Sequence, residues 1–160
     1  VVAALNPCPC GYFGDGSTRC RCTPQQVQNY LGKLSGPLLD RIDLQVPVRG
    51  VAYHEVTSQR SAPLAAILQR EQIARAYAAQ RARQQPVATA ALQGQQVIAF
   101  CPLTADAQIV VGQAFDRLGL SMRGYHKVLK IARTIADLAG EEVIKAAHIK
   151  EALSLRVMKN

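Results

Sequence analysis

Four cysteines fall within fifteen residues near the start of the chain, as two Cys-x-Cys pairs, Cys8/Cys10 and Cys20/Cys22. Four thiolates can close a tetrahedral zinc site, with sulfurs about 2.3 Å from the metal. Cys-x-Cys is the less common spacing, because neighbouring side chains diverge on an extended backbone. Pro9 and Gly11 bend the first pair. Such a cluster in a Gly-rich loop is hard to explain as core. Structural zinc is the favoured reading, ahead of free thiols, with a disulfide last. Four protein ligands would leave no open position for water, so the metal would be a clip and not a catalyst. The fifth cysteine, Cys101, stands alone. An odd count argues against a secreted disulfide framework and for a reducing cytoplasm.

Two arginines are the other candidates. On a wheel of about 100° per residue, the helix expected over Met122–Ala139 sets Arg123, Lys127, Lys130 and Asp137 together. Tyr125, Val128, Leu129, Ala132, Ile135, Ala136 and Ala139 fall opposite. A cation in the first turn opposes the helix dipole; from spacing alone Arg123 reads first as part of a solvated basic face, and second as a guanidinium with an anion bound beside it. Arg41, in LLDRIDL between Asp40 and Asp43, is either half of a local ion pair or an arginine offered to a neighbouring nucleotide. His54, His126 and His148 show no ligand spacing.

The net charge is +8 and lies mainly in residues 61–85, with four basic and one acidic side chain, and 119–160, with eight and four. That excess suits polyanions or a plain solvated surface. Hydrophobic residues make up 49% and charged residues 19%, which suits a globular chain with a core. No apolar run approaches the roughly 20 residues of a membrane span. The chain starts at Val1 without a signal sequence, so it is expected to be cut from a longer protein.

The elements that must position these residues follow from pattern. VVAAL reads as a buried strand of a parallel sheet, with Asn6 at its end. Thr23-Pro24 starts a short helix running through Leu34. Ile42, Leu44, Val46 and Val48 alternate with polar positions and Pro47, as in a half-buried edge strand. Residues 50–60 read as linker. A helix from Ser61 to about Gln84 would bury Ala66, Ile67, Ile73, Ala74 and Tyr77. One short helical turn is expected within residues 85–103. Thr104 caps a helix with Asp106 in its first turn and Gly119 as its stop. Ser121 caps the next, ended by Gly140, and a last helix covers about 145–156.

Taken together, NPCPCGYFGD, RCRCTPQQVQNYLGKLSGPLLDRIDL, LSMRGYHKVLKIARTIADL and IKAAHIKEALSLR resemble the magnesium-chelatase-like AAA+ ATPases of the ComM/YifB family, over nearly the whole chain. The resemblance implies a mainly α C-terminal fragment of an AAA+ module. Residues 1–50 would be the end of the α/β core, a remnant of a parallel sheet; residues 51–60 a linker; residues 61–160 an α-helical lid domain. Asn6 would be the sensor-1 asparagine that orients the attacking water. Arg41 would be the arginine finger reaching the adjacent subunit's nucleotide, and Arg123 the sensor-2 arginine over the phosphates. The parent protein would be a cytoplasmic homohexamer using ATP and magnesium to drive a helicase or translocase on DNA, in natural transformation or recombination, with no membrane partner.

No G-x-x-x-x-G-K-[ST] loop occurs in the sequence, and no strand-end acidic pair follows LLDRIDL. The chain alone is therefore expected not to hydrolyse ATP. Two other classes remain: a non-enzymatic, zinc-containing module gripping nucleic acid by phosphate contacts, and a magnesium-chelatase motor subunit. Aromatic residues are only 5% and do not interleave with the basic helices, which weighs against a stacking platform.

Overall fold

The computed structural model describes residues 2–39, 41–48, 50–51, 53 and 63–156. Val1 at the start of the first expected strand, Asp40, most of the expected linker including His54, the helix start at Ser61 and residues 157–160 lie outside the described residues. The chain divides into two compact units, Val1–Ile42 with Val46–Gln59, and Asp43–Gln45 with Arg60–Asn160.

In the first unit α1 spans Pro24–Leu31. Thr23 and Gln26 form a capping box around its start, with Pro24 at the first helical position, so three devices fix one boundary. The helix stops short of Leu34, with Gly32 as its C-cap donating its N–H to the Gln28 carbonyl at 2.7 Å. One further turn, α2, spans Gly36–Leu39.

Neither expected strand forms. Residues 2–5 and 42–48 carry no strand, and Leu44, Val46 and Val48 are exposed rather than half-buried. Alternation prepares a segment for a sheet, but a strand exists only when a second backbone accepts its ladder bonds. Among the described residues none does. The sheet remnant is a sequence pattern without its sheet.

The second unit is helical: α3 (Pro63–Ala82), a 3₁₀ turn (Thr89–Ala91), α4 (Gln95–Phe100), α5 (Ala105–Leu118), α6 (Met122–Ala139) and α7 (Ala146–Ser154). Helix α6 is the axis, packed by α3, α4, α7 and the 3₁₀ turn. Its Val128, Leu129, Ala132 and Ala136 join Val97, Ala107, Val111, Ile144, Ile149 and Ala152 in one continuous core. Each fully buried Val, Leu or Ile there contributes roughly 1.5–3 kcal/mol. The boundaries follow the sequence. Thr104 caps α5 by accepting the Ala107 N–H, with Asp106 in the first turn, and Gly119 ends it at φ 58°. Ser121 caps α6 by accepting the Gly124 N–H, and Gly140 ends it at φ 75°. A parallel bridge between Leu103 and Ile144 joins the two inter-helix links.

Helix α3 departs from its expected face. Ala66, Ile67, Ile73, Ala74 and Tyr77 are all exposed, and among the described side chains of the helix Ala76 is the buried one. Its apolar residues are spread round the helix, so the spacing does not select a unique inward side. What secures α3 is polar: Arg83, just past its end, forks onto the carboxylate of Asp137 at 2.7 Å to each oxygen.

Candidate metal centre and lid arginine

The sulfurs of Cys8 and Cys10 lie 3.3 Å apart, Cys8 and Cys20 3.9 Å, and Cys10 and Cys20 3.6 Å. With Cys22 included, all four sulfurs fall within 4.8 Å of one another. A tetrahedron with 2.3 Å metal–sulfur bonds has edges of about 3.8 Å, so the set already approximates the spacing that zinc requires. All four are free thiols.

Local chain chemistry brings the two pairs together. Gly11, at φ +84°, donates its N–H to the Cys8 carbonyl at 3.0 Å and closes a tight turn around the first pair. Only a residue tolerant of positive φ fits there. Ahead of the second pair, the Asp15 carboxylate accepts from the Ser17 N–H at 2.8 Å and from the Arg19 guanidinium at 2.9 Å. That guanidinium lies 4.4 Å from the centre of the Tyr12 ring. Immediately after Cys22 the Thr23 capping box starts α1. The second pair is thus bracketed by an ion-paired loop and a capped helix. An open cleft of about 450 Å³ borders the cluster, lined by Cys10, Cys22, Arg21, Tyr30 and Lys33 among others.

The thiols are unequal. Cys10 is lowered to about 6, first by the Tyr12 backbone amide and then by the Cys8 thiol. Cys22 is pushed up to about 12; the Cys10 backbone amide draws it down, but the Cys10 sulfur, burial and the Cys8 sulfur outweigh that pull. Crowded sulfurs cannot all ionise on their own. A divalent cation reverses this by replacing protons with metal bonds.

Asn6 is exposed and ends no strand. Arg41 is exposed in the turn after α2. Asp43, one of the two acidic residues flanking it in sequence, pairs with Lys127 at 2.7 Å.

Arg123 is the second residue of α6 and is exposed. It makes no hydrogen bond or ion pair among the described residues. Its neighbours on the wheel are spoken for. Lys127 holds Asp43, and the Lys130 ammonium donates to the carbonyls of Ala90 at 2.8 Å and Leu92 at 3.4 Å. Asp137, assigned above to the same stripe, is buried at 2% exposure. The expected basic stripe therefore reduces to Arg123 at the helix start.

The residue that spacing missed is Arg133, fully buried on α6. Its Nε donates to Asp137 Oδ1 at 3.1 Å, Nη1 to the Glu142 carbonyl at 2.6 Å, and Nη2 to the Glu141 carbonyl. Burial is the first cause drawing its pKa down, and Asp137 pulls the other way. Its fork satisfies carbonyls just past the end of α6, where unpaired C=O groups collect. The i, i+4 spacing of Arg133 and Asp137 was the available signal. His148 is also structural: its Nδ1 accepts the Lys145 N–H at 3.1 Å as α7 starts. His126 is half-buried, 5.9 Å from the Tyr125 ring.

Residues 65–156 match the family described as magnesium chelatase, subunit ChlI C-terminal, and residues 1–56 match magnesium chelatase, subunit ChlI. The chain belongs to the magnesium chelatase subunit ChlI family. Within this ChlI family it is similar to the competence protein ComM of Haemophilus influenzae, 38% identical over 99% of this chain and 30% of the relative. It is also similar to the protein YifB of Escherichia coli, 35% identical over 99% of this chain and 31% of the relative. A protein of Mycobacterium bovis is 36% identical over 98% of this chain and 31% of its own length. The chain thus spans about a third of the relatives it matches. Its mainly α fold is that of the C-terminal, lid-bearing part of an AAA+ ChlI-like protein. Among the described residues no helix is long and apolar enough to cross a membrane.

Proposed function

We propose that this chain is the sensor and lid portion of an ATP-driven, hexameric, cytoplasmic AAA+ motor that acts on DNA, with Asn6 as sensor 1, Arg41 as the finger offered to the adjacent subunit and Arg123 as sensor 2. Residues 1–50 end the nucleotide-binding core, 51–60 link, and 61–160 form the lid; the break between the two family matches, after residue 56 and before 65, supports this division. ATP and magnesium belong to the complete protein. The chain alone lacks a phosphate-binding loop and does not turn over ATP.

The observation that carries the reading is Arg123. A guanidinium in the first turn of an 18-residue helix, exposed and without a partner among the described residues, is misplaced with respect to the helix dipole. An anionic phosphate removes that misfit, because first-turn amides and the guanidinium then converge on one charge. The likeness to a competence protein supports DNA as the substrate.

Arg123→Ala in the complete protein tests this. ATP turnover falls by about two to three orders of magnitude, the scale for losing one preorganised donor at a developing charge. Turnover within twofold of the parent overturns the assignment. The cysteine cluster is proposed to hold one structural zinc, read as close to one equivalent of metal in protein purified without chelator. The cleft with Arg21, Lys33 and Tyr30 favours a second reading, a nucleic-acid grip beside the metal. Salt-sensitive binding of single-stranded DNA by the 160-residue chain, lost in Arg21→Ala with Lys33→Ala, would favour it.

A further inference from the structure

We propose that the metal held by Cys8, Cys10, Cys20 and Cys22 sets the position of the Asn6 side-chain amide, acting through the Cys8–Gly11 turn. The inference rests on the zinc and sensor-1 readings above and adds a link between them.

Asn6 is exposed and its amide has no hydrogen bond among the described residues, so nothing in its immediate surroundings holds it. Yet it is not in open space. A Cβ built on Gly11 would stand 3.9 Å from both Cγ and Nδ2 of Asn6, which places the amide against the glycine backbone. Gly11 sits at φ +84° and donates to the Cys8 carbonyl at 3.0 Å. Asn6 therefore rests against Gly11, the last residue of a four-residue turn that contains two of the four thiols.

Without metal that turn is closed by one backbone hydrogen bond, from the Gly11 N–H to the Cys8 carbonyl. With metal, Cys8 and Cys10 are bonded to one centre, and Cys20 and Cys22 tie that centre to the segment before α1. The turn becomes rigid, and so does the floor beneath Asn6. An amide that orients a water must be held within a fraction of an ångström by its supporting shell. Gly11 is then a positioning residue, and the metal governs the hydrolytic geometry while leaving Arg123 untouched.

The test uses the ¹⁵N-labelled 160-residue chain, stripped with chelator and then titrated with zinc alone. The signal is the side-chain NH₂ pair of Asn6, assigned by its loss in Asn6→Ala. The pair is expected to shift in step with zinc, saturating at one equivalent, and its heteronuclear NOE to rise. The NH₂ pair of Gln113 on α5 stays in place. Gly11→Ala keeps all four thiols and so still takes up zinc, but it strains the turn and displaces the Asn6 pair. Cys20→Ser loses the metal and the shift together. One bound equivalent of zinc with an unmoved Asn6 pair overturns the inference and leaves the metal site standing. No zinc uptake overturns the metal reading and this inference with it.

Discussion

The two units solve the problem of folding by different means. Among the described residues of the first, only Cys8 and Val27 are buried hydrophobics, while Leu5, Phe13, Val46 and Val48 remain exposed. The second buries a continuous apolar core around α6. Each also concentrates polar groups, and here the contrast is sharper. In the second unit the three guanidinium nitrogens of Arg133 each meet an acceptor. In the first, four thiols face chiefly one another. One cluster pairs its guanidinium groups with a buried carboxylate of the same chain, and the other is proposed to be completed by a metal.

Removing the proposed zinc gives the largest expected effect. A structural zinc contributes on the order of 10 kcal/mol of apparent folding free energy at neutral pH. Chelation, or Cys20→Ser, should abolish amide-exchange protection across residues 6–31 and leave residues 63–156 protected. Loss of protection in both would break the comparison. Acid should act in the same direction. Cys10 is depressed from 9.0 to about 6, so its contribution is present above the ordinary thiol range and is lost as pH falls through about 6. Protons also compete with a metal for the four thiolates, so zinc release, followed by a chromogenic chelator, should rise as pH falls.

Asp137→Ala comes next. It leaves Arg133 and Arg83 facing each other without their shared carboxylate, and breaking a buried pair in this way costs about 3–5 kcal/mol. Urea unfolding followed by helical circular dichroism should show that loss while the zinc content stays the same. Replacing both Arg133 and Asp137 by apolar residues of similar volume should cost less than Asp137→Ala alone, because no buried charge is stranded.

What the sequence made legible follows the same divide. The caps at Thr23, Thr104 and Ser121 and the stops at Gly119 and Gly140 were readable because each is a local bargain between one side chain or one φ and a helix end. The apolar side of α6 was readable because seven residues recur at helical spacing. The strands at 2–5 and 42–48 were misread because strand formation is settled by a partner, which no local pattern contains. The face of α3 was misread because a distant carboxylate, and not periodicity, secures its end. The four cysteines were legible as a set, and their mutual distances were not. Arg133 was missed because an arginine on a wheel is read as solvated unless its acceptors, here carbonyls beyond the helix end, are known.

The smallest expected effect concerns Asp43, the boundary between the two regimes. Asp43–Gln45 groups with the helical unit although the residues on both sides of it group with the first. Among the contacts that hold it there are Asp43 to Lys127 at 2.7 Å and the Gln45 N–H to the Leu155 carbonyl at 2.6 Å. The carboxylate is 67% exposed, so solvent and salt screen the pair, and exposed pairs of this kind contribute about 0.2–1 kcal/mol. Asp43→Ala should therefore destabilise the helical unit by no more than that, and the difference should vanish in about 1 M salt, where the screening length is about 3 Å. It should also free Lys127 to stand beside Arg123, raising the affinity for inorganic triphosphate at low salt. A loss above about 2 kcal/mol that survives high salt would mean that the Asp43 side chain anchors the bundle by more than a screened ion pair, and the division between the two units would have to be redrawn at that segment.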